Sequence, residues 1–156
     1  MANLTVTLTE SVTLNGSVRG STNQLTITGI EQVMERIVTI PGSADTTVLL
    51  TKQTVASSDS AIDIQDTKYI RVTNLDSTNS VTLSLQIDIN TNDSGSDAST
   101  SILLEAGKTF MLGTPHECAN VNASSAAIQT ALKDLESILV DSGSNAVKLE
   151  LFVAGA

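Results

Sequence analysis

The 156-residue chain predicts an all-β fold, an antiparallel β-sandwich with one short helix near the C-terminal third. Three observations carry that expectation. Apolar and polar residues alternate with period two along much of the chain. Turn residues break the alternation at short, regular intervals, which favours many short strands. Aromatics are only 2% of residues (Tyr69, Phe110 and Phe152), so the core rests on Leu, Ile and Val, whose β-branched members suit a pleated surface. The length suits one domain and 40% hydrophobic residues supply its core, so residues 1–156 read as a single sandwich.

The first element runs from Leu4 to Leu14. Leu4, Val6, Leu8, Val12 and Leu14 alternate with Thr and Ser, and Glu10 is the one break. At ~3.4 Å per residue this strand is long for a small domain. It either bends at Glu10 or begins as an arm that pairs with a neighbouring subunit, so residues 1–20 are a candidate N-terminal arm or exchanged strand. Leu4, Val6, Leu8, Val12 and Leu14 are its candidate interface residues. The competing reading is an ordinary strand of the sandwich.

Asn15-Gly16 signals a hairpin turn, and the run Gly20 to Asn23 a second loop. A strand follows from Gln24. Glu31 to Ile40 has fair helix formers in its first half but ends Ile37-Val38-Thr39-Ile40 before Pro41-Gly42, and reads as mostly strand. Thr46 to Val55 is a strand, Ser57 to Ser60 a loop and Ala61 to Ile64 a short strand. Lys68 to Asp88 then reads as an amphipathic antiparallel pair. Ile70 and Val72 point one way and Tyr69, Arg71 and Thr73 the other, while Val81, Leu83, Leu85, Ile87 and Ile89 alternate with polar residues.

Asn90 to Ser99 is a polar loop, and a strand, a turn at Glu105–Lys108 and another strand follow. The helix is expected after a cap at Ser124 or Ser125, with Ile128, Leu132 and Leu135 at i, i+4 and i+7. Ile138 to Val153, turning through Asp141–Asn145, closes the chain as a hairpin.

Charge removes several classes of partner. The formal net charge is −9, from 17 acidic and 8 basic residues, and no Lys/Arg cluster offsets it. Such a surface repels phosphate backbones and anionic headgroups, so no nucleic acid and no membrane partner is expected. Cys118 is the sole cysteine, which rules out an intramolecular disulfide. The start, MANLTVTLTE, lacks the basic and apolar regions of a signal peptide. No apolar run nears the roughly 20 residues that span a bilayer.

The chain offers no reactive constellation, so no catalytic, cofactor-binding or metal site and no cofactor is expected. His116 is the only histidine and lies near Glu117 and Cys118, but zinc needs three or four ligands and no second His or Cys exists. No G-x-S-x-G elbow surrounds any serine. Asp88, Asn90 and Asn92 have the spacing of a calcium loop, yet Asp93 stands where the turn wants Gly and Ser99 where a bidentate Glu belongs. Sequons at Asn3, Asn15, Asn92 and Asn122 are what a Ser/Thr-rich chain yields by chance. One Tyr and no Trp leave sugar stacking poorly supplied.

Three stretches, KYIRVTNLDSTNSVTLSLQI, ILLEAGKTFMLG and DLESILVDSGSNAVKLELFVA, resemble small jelly-roll virion proteins of tailed bacteriophages, especially those of marine hosts. The resemblance implies a jelly-roll-like sandwich and a non-enzymatic structural role. The implied role is a capsid decoration (cement) protein, a homotrimer bound to the major capsid protein on the capsid exterior and assembled in the host bacterial cytoplasm. The alternatives are a tail, neck or fibre-base component, or a carbohydrate-binding adhesive module.

Overall fold

The computed structural model describes residues 1–51, 62–89, 98–122 and 127–156. The N-terminal strands are β1 (Ala2–Thr9), β2 (Val12–Leu14), β3 (Ser17–Arg19) and β4 (Thr22–Ile30). The body follows as β5 (Gln32–Ile40), β6 (Thr46–Leu50), β7 (Thr67–Asn74), β8 (Val81–Ile87), β9 (Ala98–Leu104), β10 (Thr109–Leu112), β11 (Leu135–Asp141) and β12 (Val147–Gly155).

The body is an antiparallel β-sandwich. One sheet runs β10-β7-β12-β5 and the other β6-β11-β8-β9. Only β8 and β9 are sequential neighbours within a sheet; every other link from β5 to β12 passes from one sheet to the other. The core lies between the sheets, where Ile70, Val72, Leu149 and Leu151 meet Leu83, Ile87, Ile138 and Val140, all essentially excluded from water. Burying these aliphatic faces is the main favourable term for such a fold. Arg36 closes one side: β5 and β6 are edge strands of opposite sheets, and Arg36 Nη2 donates to the Val48 carbonyl across the gap.

Several expectations fail in instructive ways. β7 and β8, read as a pair, lie in different sheets, and so do β11 and β12, read as a closing hairpin. Period two says which face of a strand is apolar but not which strand lies beside it. Loops of five or six residues, Leu75 to Ser80 and Ser142 to Ala146, are long enough to cross the roughly 10 Å between packed sheets.

There is no helix among the described residues. Ile128 and Leu132 are exposed, while Leu135 opens β11 opposite Ile87. Lys133 instead forms an antiparallel bridge to Ala119, and Asn120 Nδ2 donates to the Ala131 carbonyl at 2.7 Å. Pairing with another strand thus overrides a helical spacing of only three apolar residues. The caps Ser124 and Ser125, the strand residues Lys52 to Val55, the loop Ser57 to Ser60, Ala61, and Asn90 to Asp97 fall outside the described residues.

The strand expected through Ile64 is a turn, in which the Thr67 amide donates to the Asp63 carbonyl at 3.0 Å. The loop expected at Gly20 to Asn23 shortens to Gly20-Ser21, because Thr22 and Asn23 already belong to β4. Gln32–Ile40 is strand throughout: nine residues of register with β12 outweigh the weak helix propensity of its first half.

Candidate functional site

The N-terminal segment is a two-stranded ribbon outside both sheets. β1 pairs with β4 and β2 with β3, and one register runs through both: Leu4 faces Ile27, Val6 Leu25, Leu8 Asn23, Val12 Arg19 and Leu14 Ser17. Asn15 (φ 51°) and Gly16 (φ 80°) close the tip in the left-handed conformation that a two-residue hairpin turn requires. At the interruption between the two halves the Glu10 amide donates to the Ser21 carbonyl at 2.9 Å. Gly20 has φ 135° there, and a Cβ on it would fall onto the Glu10 carbonyl, so the backbones approach as only glycine permits.

Only the base of the ribbon touches the body. Leu4, Val6 and Ile27 pack with Ile30 against Tyr69, Phe152 and Ala154 on the outer face of the β10-β7-β12-β5 sheet. Lys68 Nζ donates to the Thr28 carbonyl at 3.3 Å, and the Glu31 amide donates to the Gly155 carbonyl at 2.9 Å. Beside this contact Arg71 pairs with Glu150 at 2.8 Å, and its guanidinium lies 5.8 Å from the Phe152 ring centre. Burial pushes the Tyr69 phenol above its ordinary pKa, with the nearby Arg71 charge opposing.

Beyond that base the ribbon is bare. Residues 7–26 are all exposed. The five residues singled out from the sequence divide accordingly: Leu4 and Val6 are half-buried against the body, while Leu8, Val12 and Leu14 are 45%, 56% and 56% exposed. Alternation places all five on one face. Sequence reasoning missed Leu25 (52% exposed) and Ile27, which complete that face from the returning strand. The signal was present in QLTITGI, whose register against Leu4–Leu8 only the fold reveals.

The loop holding His116 and Cys118 is tied down by Asp134. Asp134 Oδ1 accepts the Glu117 amide at 2.7 Å and lies 3.7 Å from His116 Nε2. Burial raises the Cys118 thiol above its ordinary pKa, away from the thiolate a nucleophile needs. A polar cleft between the β7–β8 and β11–β12 connections is lined by Asn79, Thr82, Asp141, Ser144 and Asn145 among others, with no aromatic ring. Among the described residues no group of three or more His, Cys, Asp or Glu is placed to hold a metal ion, and no helix is long and apolar enough to cross a membrane.

No family model matches the chain. No curated protein matches it either. A chain from the solved structure "Bacillus endospore appendages form a novel family of disulfide-linked pili" is similar at 10% identity and a TM-score of 0.38, over 83% of this chain and 93% of that one.

Proposed function

We propose that this chain is a non-enzymatic virion structural protein, a capsid decoration protein that binds the outer surface of a major capsid lattice. The observation that carries the reading is the ribbon: a folded body devotes its first 30 residues to an element whose apolar face it leaves mostly uncovered. Contiguous exposed apolar surface of this kind marks a contact with another molecule. Two further features support the reading. The strand order, with every link but β8–β9 changing sheets, agrees with the jelly-roll type that the sequence resemblance implies. The acidic surface and the absence of a reactive cluster among the described residues suit a lattice-binding scaffold better than a catalyst.

On a shell, each contact need contribute little, because repetition over the lattice and self-association supply avidity. Electron microscopy of particles carrying gold-labelled protein tests the location. Label distributed over the shell supports decoration; label confined to the tail or neck moves the protein there and ends the decoration reading.

A further inference from the structure

Alternation and the shared register place Leu8, Val12 and Leu14 on the same face as Leu25, and they put Glu10 and Arg19 there too, two residue pairs apart along the ribbon. These are the only charged residues among the first 30. Neither makes an ion pair among the described residues. With one acid and one base, the ribbon is neutral, and the whole net charge of −9 falls on residues 31–156.

We propose that the ribbon packs face to face and antiparallel on the ribbon of a second copy of this chain, about a two-fold axis near the Glu10–Ser11 interruption. Such an axis sets Leu8 of one copy on Leu14 of the other and carries Glu10 toward the partner's Arg19, once in each direction by symmetry. The arrangement satisfies three conditions together. It covers the aliphatic side chains left bare. It gives the two unpaired charges a partner of opposite sign. It holds the acidic bodies at opposite ends, roughly 50 Å apart at ~3.4 Å per residue, several Debye lengths at physiological salt. A two-stranded ribbon alone in water is marginal, and a second ribbon makes it one half of a four-stranded sandwich.

The contact continues the small apolar cluster of Leu4, Val6 and Ile27 already formed at the base. It concerns the free protein: the same face cannot meet a second copy and a capsid shell at once, so on a shell the shell contact replaces the dimer contact. A homotrimer packed about a three-fold axis, as the family resemblance implies, is the competing arrangement.

Sedimentation of the full chain tests the proposal with charge-swapped variants at two exposed sites that the body does not use. Wild type is expected to be a dimer. E10R alone and R19E alone each place like charges together twice, and each is expected to weaken the dimer about tenfold or more. An equimolar mixture of the two variants restores it, because each then meets its opposite. With Cys118→Ser, the pair Leu8→Cys and Leu14→Cys is expected to oxidise to a covalent dimer, while Val18→Cys, on the opposite face, is not. A wild-type monomer or trimer, unchanged dissociation of both charge variants, or failure of the mixture to recover would each overturn it.

Discussion

The rings of Tyr69 and Phe152 meet edge to face, with centroids 6.1 Å apart and planes at 68°, on the outer surface of the sandwich where the ribbon lands. Aromatic pairs in this geometry add stability beyond the area they bury. Two of the chain's three aromatic residues therefore serve the ribbon junction and not the central core.

Replacing Phe152 by alanine removes the surface on which Tyr69, Arg71 and the ribbon base rest. We expect a loss of about 2 kcal/mol, less than for a fully buried phenylalanine because Phe152 is only partly covered. Urea unfolding followed by the fluorescence of the single tyrosine measures it, and Phe152→Leu should retain most of the stability.

The same tyrosine predicts an alkaline limit. Its folded pKa lies above the ordinary value of 10.0, chiefly through burial. A raised value means the folded protein holds the phenolic proton more tightly. That contribution is complete below pH ~10 and is lost as pH rises through the folded value. Phenolate absorbance should titrate at higher pH in native protein than in urea, and Arg71→Met should move the native midpoint higher still.

Gly20→Ala should separate ribbon from body. A Cβ there collides with the Glu10 backbone, so amide protection at Glu10 and Thr22 should fall. The denaturation midpoint of the sandwich should stay nearly unchanged, because the ribbon beyond Val6 and Ile27 does not touch it. Hydrogen exchange read residue by residue checks both halves of that statement.

Asn74 anchors the β7–β8 connection from a fully buried position. Its Nδ2 donates to the carbonyls of Asn79 (2.9 Å) and Leu104 (3.3 Å), and its Oδ1 accepts the Asp76 amide at 3.0 Å. Asn74→Ala leaves those groups without partners at a cost of roughly 2–4 kcal/mol, read as a fall in thermal midpoint. Asp76 in turn accepts the Asn79 and Thr78 amides, which hold its carboxyl below the ordinary 3.8. Its contribution is therefore present above pH ~4 and lost as pH falls through the folded value. Asp76→Asn should flatten that acid limb.

Much of this was legible in the residues. The faces of β7 and β8 follow directly from the alternation at Ile70, Val72 and Val81 to Ile87, and Asn15-Gly16 announces its turn. The neighbours of each strand were not legible, because Val81–Ile87 presents the same pattern whether it lies beside β7 or opposite it across the core. The helix expected at Ile128, Leu132 and Leu135 failed because Leu135 is claimed by a strand partner 48 residues upstream, Ile87. The alternation of Leu4 to Leu14 was visible, but its place outside the sandwich depends on Tyr69 and Phe152, far along the chain.

Co-sedimentation of the purified chain with empty shells of the major capsid protein from the same genome, with purified tails as control, decides whether this protein binds a capsid shell. Saturable binding to shells at a fixed stoichiometry, and none to tails, is expected. Binding to tails, or to neither particle, would contradict it.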